Sequence, residues 1–323
     1  MINNFRRTLL CSALLSISFG SMAKEAYPQR TIRLVVPYGT GATTDLMGRL
    51  IAQKISEDLK QTVIVDNKGG ASGLIGSEFV ARSEPDGYTI LLATDGTHAG
   101  NPFLLKKFPF DAVNDVTPIT MGARNLLVLV AHPSLPVKNV KELIEYARKH
   151  PGKLSYGSSG NGSPHHLAGV LFNQMAGTDL MHVPYRGGGP AVVDVLGGQV
   201  PLIFTSLATV MPHIKSGKLT LLGLTEKSRV KEFSDIPVVA ENLPGFEMTS
   251  WLAFLGPAKI PKNIVEILNK SIAKALASPD IIAKLNESGL LVKSSSSDEF
   301  AKFLKADYDQ RGRLITANKI SAD

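Results

Sequence analysis

From Thr31 onward this chain switches repeatedly between two hydrophobic periods, and that alternation limits its fold more than any other feature. A run rich in β-branched residues at 31–36 stops at Pro37 and passes through a Gly/Thr turn. Met47, Leu50, Ile51, Ile55 and Leu59 then recur at helical spacing, which places them on one face. Residues 62–65 read as a second strand, 66–73 as a loop, 74–82 as a helix, Pro85-Asp86-Gly87 as a turn and 88–93 as a third strand. Strand, helix, strand, helix, strand in that order predicts parallel neighbours joined by crossovers. A parallel sheet needs helices on both faces, because its strands are apolar on both.

The pattern resumes after an apolar strand at 126–131. Val140, Leu143, Ile144 and Ala147 define an amphipathic helix closed by Pro151-Gly152. A strand at 154–156 enters a loop at 157–164 and a helix from 165 to 175. A strand at 181–185 enters Arg186-Gly187-Gly188-Gly189-Pro190 and a helix ending at Leu196. Further strands are predicted at 200–205, 220–225 and 251–255. Ile264, Leu268, Ile272 and Leu276 share a helix face, and Ser296 with Glu299 forms a capping-box signal for a last helix. A chain of 323 residues suggests two domains. We therefore expect two α/β lobes in tandem, each with a mostly parallel sheet flanked by helices. Residues 24–125 and 248–323 form one lobe in this reading and 126–247 the other, with chain crossings at 126–131 and near Trp251.

The first residues set the compartment. Arg6 and Arg7 precede an apolar run at 9–19, and Ser21-Met22-Ala23 offers small residues for a cut after Ala23. This is the order of a secretory signal peptide at 1–23, with an apolar stretch too short to span a bilayer. The expected location is therefore the periplasm. Cys11, the single cysteine, lies inside that run behind Leu10, where a lipoprotein cut would need a small residue. The exported chain would then have no thiol, which excludes disulfide frameworks and thiolate catalysis. The formal charge of +7 is spread along the chain, without a Lys/Arg run interleaved with aromatics. Nucleic acid is not an expected partner, whereas a mild positive field favours anionic ligands.

In open parallel sheets, ligands bind beyond the carboxyl ends of the strands, where helices begin. Those positions here carry Gly, Ser, Thr and Asn. The candidates in the first lobe are Tyr38, Gly39, Thr40, Gly41, Ala42, Thr43, Thr44 and Asp45, then Thr94 and Thr97. In the second they are Ser158, Ser159, Gly160, Asn161, Gly162, Ser163, His165, Arg186, Gly187, Thr205 and Ser206. Glycines admit a ligand close to backbone N–H groups, first-turn N–H groups attract negative charge, and hydroxyls complete the donor shell. Such a site holds a carboxylate without a counter-cation. Asp45 has two readings, N-capping or dipole pairing where the first helix opens, or a wall of the cleft. Arg186 reaches either a second carboxylate or the surface.

Several stretches together resemble a known family. They are Tyr27-Pro28, the run 32–38 with Gly41 and Asp45, Pro85-Asp86-Gly87-Tyr88-Thr89, and the run 156–163 with His166-Leu167-Ala168-Gly169. They continue with His182-Val183-Pro184-Tyr185-Arg186-Gly187, Leu196-Gly197-Gly198-Gln199-Val200, the run 212–218 and Pro244-Gly245-Phe246. In this order the chain resembles the Bug or TctC family, the extracytoplasmic binding proteins of tripartite tricarboxylate transporters. The resemblance implies a Venus-flytrap fold of the periplasmic-binding-protein type, with a deep cleft between the lobes. It also implies a ligand carboxylate held by main-chain amides of loop 38–45, opposed by 158–163 and Thr205-Ser206, and handover to membrane subunits. It implies a monomer with no cofactor and no catalysis. A sensor kinase is a further possible partner, because uptake and sensing use the same binding event.

Two departures from the family pattern bear on the ligand. The first loop reads Thr40-Gly41-Ala42 where relatives carry Pro-Gly-Gly, so a methyl group stands where the backbone meets the ligand. Many relatives have an acidic residue followed by Asn where this chain has Thr205-Ser206, and its absence points to a plain organic acid over an amino acid.

Other signals are weaker. Gly39-Thr40-Gly41 with Asp66 loosely resembles a dinucleotide fingerprint, but Thr44 replaces the third glycine. Ser158 and Ser163 near His165 and His166 raise the alternative of a periplasmic serine hydrolase, yet Asn161 breaks the nucleophile-elbow pattern. Adjacent histidines do not share one tetrahedral metal, and no third ligand is evident. His165, His166 and His98 read either as packing or solvent-contact residues or as cleft-lining donors, whereas His182 and His213 read as structural.

Overall fold

The computed structural model describes residues 27–185 and 187–322. The signal peptide at 1–23 and Arg186 lie outside the described residues.

Strand β1 (Ile32–Val36) shows why the sheet needs two cores. Ile32, Leu34 and Val36 point into one apolar cluster and Val35 into another, all without exposed surface. The chain continues through α1 (Thr43–Leu59), β2 (Val63–Asn67), α2 (Leu74–Ala81), β3 (Thr89–Thr94), α3 (Asn101–Leu104) and β4 (Val116–Asn125). It crosses to a second sheet with β5 (Leu127–Ala131), α4 (Val140–Lys149), β6 (Ser155–Ser158), α5 (Pro164–Ala176), β7 (Met181–Pro184), α6 (Gly188–Leu196), β8 (Leu202–Ser206), α7 (Leu207–Lys215) and β9 (Thr220–Leu224). It returns with β10 (Ser250–Pro257), α8 (Lys262–Leu276), α9 (Pro279–Glu287), β11 (Leu290–Val292) and α10 (Ser297–Ala317).

The first sheet has six strands in the order β11-β4-β10-β3-β1-β2, and the second has five in the order β7-β6-β8-β5-β9. Parallel pairing is confined to β2-β1-β3 and to β7-β6-β8. Both sheets are therefore mixed rather than mostly parallel. The cause is the crossing itself: β5 and β10 run back against their neighbours and pair antiparallel on both sides. Helices α1, α8 and α9 cover one face of the first sheet, and α2 with the start of α10 covers the other. In the second sheet α4 and α5 lie on one face, α6 and α7 on the other.

Strand β4 was not legible as a strand, and its bulges explain why. Its pairing with β10 shifts register between Leu252 and Ala253 and between Phe254 and Leu255. The first shift skips Gly122, where a β-carbon would stand 2.5 Å from the Met47 methyl. The second falls beside Pro118, which cannot donate to a ladder. Pro, Gly and four polar residues hide the period-2 signal.

The crossing from β4 to β5 takes one residue, Leu126. Beside it, Arg124 pairs with the buried Glu226 beyond β9 at 2.7 Å. Helix α10 is a third link. It opens with the expected capping box at Ser296 and Glu299. Phe300 and Leu304 pack into the first sheet's core, while Leu314 and Ile315 pack into the second's.

Candidate functional site

A cleft of about 400 Å³ lies between the two sheets, beyond the carboxyl ends of β1 and β3 and of β8. Tyr38, Ala42, Thr43, Thr44, Thr94, Asp95, Gly96, Leu252, Ser288 and Leu290 line it from the first sheet's side. Asn125 stands at the crossing, and Pro164, Ser206, Ala208 and Thr209 come from the other side.

Two helix N-termini meet there. Ala42 is the N-cap residue of α1 and has no side-chain cap bond, so the first-turn amides keep no side-chain acceptor. Thr44 stands in that turn, 8% exposed, and its Oγ1 has no hydrogen-bond partner among the described residues. Across the cleft Ser206 begins α7, again without a side-chain cap bond. Its Oγ instead accepts from Asn125 Nδ2 at 2.9 Å, which ties the crossing to the second sheet. Helix starts without side-chain caps on both sides of one cleft make it receptive to negative charge.

The loop that presents α1 is rigidly braced. Asp45 accepts from the Gly41 amide at 2.9 Å, from Asn67 Nδ2 at 3.0 Å and from Arg49 Nε at 3.1 Å. The Arg49 hydrogen bond, helped by Gly41 and Asn67, holds the Asp45 carboxyl below the usual range against the opposing effect of burial. Asp45 is neither the N-cap residue, which is Ala42, nor part of the cleft lining; it stands in the first turn of α1, where a negative charge suits the helix dipole, and braces the loop. Tyr38 pairs its hydroxyl with Thr94 Oγ1 at 2.9 Å on the cleft wall. Thr97 does not line the cleft; its hydroxyl is spent on the Thr94 main chain and on His98.

The second loop uses its hydroxyls internally. Ser158 has no exposed surface, and its Oγ lies 2.6 Å from His182 Nε2 and accepts from the Gly160 amide at 3.1 Å. Ser159 Oγ lies 2.6 Å from His165 Nδ1. Ser163 caps α5 by accepting from the His166 amide at 3.2 Å. His166 stacks on His182 with ring centroids 3.7 Å apart and accepts the Gly162 amide. Burial pushes His165, His166 and His182 down to about 4, so all three are neutral at pH 7. Gly162 has φ +70° and a β-carbon there would stand 2.4 Å from Leu104, so only glycine lets this loop pack against α3. The Ser158 hydroxyl pairs with His182 rather than with His165 or His166, and no carboxylate bonds His182 among the described residues.

The cleft thus gathers Tyr38, Ala42, Thr43, Thr44, Thr94 and Ser206 from the expected set. Gly39, Thr40, Gly41, Asp45, Thr97, residues 158–163, His165, Gly187 and Thr205 stand behind or beside its lining. Asn125, Ala208, Thr209 and Ser288 were not anticipated, and Asp95 was expected only as part of the strand-end loop 94–98. Asp95 and Gly96 adjoin Thr94, and Thr209 lies in the first turn after Ser206, so those positions carried a signal. Asn125 and Ser288 end a bulged strand and precede a short one, and nothing local marks them. Behind Asp95 lies a buried charge network. Arg311 Nη1 is 3.1 Å from Asp95, and Arg311 Nε is 3.0 Å from Asp307, which also accepts from Trp251 Nε1 at 2.8 Å.

The chain matches the sequence profile of the tripartite tricarboxylate transporter family receptor over residues 47–320. A UPF0065 protein from the tcbD-tcbE intergenic region of Pseudomonas sp. strain P51 is 33% identical, covering 100% of this chain and 97% of that protein. BugT of Bordetella pertussis is also 33% identical, over 90% of this chain and 89% of its own. Among solved structures, a TctC solute-binding protein from Polaromonas superposes with a TM-score of 0.82 at 28% identity, covering 90% of this chain and 99% of that one. An R. palustris protein solved with adipate gives 0.74 at 35% identity, over 91% and 99% of the two chains. MatC of Rhodopseudomonas palustris, solved with malate, gives 0.70 at 28% identity, over 90% and 100%.

Proposed function

Because the chain belongs to the tripartite tricarboxylate transporter receptor family, whose members are periplasmic binding proteins, we propose that it captures a small organic acid between its two lobes and presents it to the transporter's membrane subunits. The observation that carries this reading is the uncapped start of α1 facing α7 across one cleft, with the Thr44 hydroxyl buried and unpartnered beside it. In this reading the acid's carboxylate sits on the amides of 43–45, and Thr43, Thr44 and Tyr38 complete its donor shell. Pro164, Ser206, Ala208 and Thr209 form the opposite wall, with the loop 158–163 behind Pro164. The two lobes, 24–125 with 248–323 and 126–247, close on the ligand by bending at the crossings beside Leu126 and before β10.

The relatives solved with adipate and malate support a carboxylate as the ligand class. The absence of an acidic residue at Thr205-Ser206 favours an organic acid over an amino acid. Export follows in this reading from the signal peptide, cut after Ala23. In this reading the protein acts as a receptor and not as a hydrolase: Ser158 has no exposed surface, and the Ser163 hydroxyl is taken up in capping α5. A thermal-shift series of mono-, di- and tricarboxylates tests the proposal. A ligand at a hundred times its Kd adds about 2.7 kcal/mol of stability. Absence of any shift across the series, with a p-nitrophenyl ester hydrolysed instead, would reverse the assignment.

A further inference from the structure

We infer that anion binding in this cleft is coupled to the uptake of one proton by Asp95, which makes Asp95 a determinant of the ligand's charge. The inference rests on the reading that the cleft holds a carboxylate.

Asp95 follows β3 on the cleft wall, with its side chain 6% exposed. Its carboxylate meets one guanidinium, Arg311 Nη1 at 3.1 Å, and two weaker neutral donors, Ser250 Oγ at 3.2 Å and the Trp251 amide at 3.4 Å. That guanidinium is shared. Arg311 Nε lies 3.0 Å from both oxygens of Asp307, and Nη2 is committed to the Thr249 carbonyl. The arginine side chain is 1% exposed and that of Asp307 7%. Two buried carboxylates therefore share one buried cation, which leaves an excess negative charge in a region of low dielectric.

The other titratable groups facing Asp95 do not cancel that charge. Tyr38, from the first loop, turns its hydroxyl to Thr94. His98, on the segment following Asp95, is neutral because burial pushes it down to about 3. Helix α10 supplies only Arg311 and Asp307, and β10 supplies neutral donors. No Lys or Arg stands in the cleft lining among the described residues. Burial, above all, already pushes the Asp95 carboxyl above its usual range; Arg311 opposes this and Asp307 adds to it.

A ligand carboxylate brings a second negative charge against this wall. Like charges in one dry space are relieved when one of them takes a proton. Asp307 is fully engaged by Arg311 and Trp251, so the proton goes from solvent to Asp95. The network behind the cleft wall then becomes neutral, which removes its repulsion of the ligand's carboxylate. Affinity rises as pH falls, by up to about tenfold per pH unit, over the interval in which Asp95 is ionised in the free protein and protonated in the complex.

Calorimetric titration with adipate and with malate, each in phosphate and in Tris, tests this through the proton count. The expected result is net proton uptake in the wild type and none in Asp95→Asn. Asp307→Asn, which touches no cleft atom, also abolishes uptake, since Arg311 then pairs one-to-one with an Asp95 that stays ionised. Without ligand, the wild type loses melting temperature relative to Asp95→Asn as pH rises through the Asp95 titration. A folded pKa above the unfolded one stabilises at low pH and is lost at high pH. Binding without proton uptake, or uptake retained in both variants, overturns the inference alone. So does tighter binding of aspartate than malate, because an ionised Asp95 would then be pairing with the ligand's ammonium. If no carboxylate binds, the capture reading and this inference fall together.

Discussion

The loops that open α1 and α5 are built from the same residue types and do opposite things. Residues 39–44 and 157–163 are both rich in Gly, Ser and Thr at the end of a parallel strand. In the first, the N-cap residue is Ala42, the bracing carboxylate of Asp45 binds Gly41, and the Thr44 hydroxyl is left without a partner. In the second, Ser163 caps the helix, Ser158 and Ser159 pair with histidines, and His166 takes the Gly162 amide. One loop holds its donors free and the other has spent its hydroxyls. An anion site is therefore recognised by where the hydrogen bonds go, not by composition.

That contrast can be attacked directly. The largest effect is expected from Ala42→Asp, which supplies the missing cap and puts a carboxylate where the ligand's would sit. Binding should fall more than 100-fold, about 3 kcal/mol, while the helix gains about 1 kcal/mol from the cap. Calorimetry and a melting curve read the two quantities separately, and unchanged affinity would place the anion elsewhere. Ser158→Ala comes next. It should cost about 2 kcal/mol of stability by orphaning His182 and the Gly160 amide, and leave affinity within about twofold; urea unfolding beside a binding titration checks both. Thr44→Val should show the reverse pattern, a loss of about 1 kcal/mol in binding with little change in the unfolding midpoint. Ser163→Ala removes the existing cap and should cost about 1 kcal/mol of stability alone.

The smallest effect at neutral pH concerns the histidines. His165, His166 and His182 are held neutral down to about 4 and would take protons near 6.5 in the unfolded chain. A depressed folded pKa means the unfolded state binds more protons between those values, so stability is lost as pH falls from about 6.5 to about 4. His182→Gln should flatten that slope in thermal melts between pH 7 and 4.5. An equal slope in wild type and variant would show that acid loss arises elsewhere.

The order of strands and helices was legible because each is a local period. Met47, Ile51 and Ile55 recur at helical spacing and all are fully buried. Ser296 and Glu299 announce the last helix and cap it as expected. Strand β4 was lost because Pro118 and Gly122 sit at its bulges, and a bulge makes sense only beside the partner strand β10. The first-loop residues of the cleft were legible because a strand end and a helix start are both visible in sequence. Asn125 and Ser288 were not, since their place follows from pairing between remote strands.

By itself the sequence determined the alternation of elements, the two-lobed α/β class and the Gly- and Thr-rich loop that opens α1 at the cleft, all of which depend on residues close together in the chain. Tertiary structure decided which donors in those loops stay free and which charges are buried behind them. Asp95 meets Ser250 across a separation of 155 residues, and its cation comes from a helix later still. Hydrogen bonds and ion pairs act over a few ångströms in space. A linear pattern therefore cannot say whether a hydroxyl is offered to a ligand or already taken.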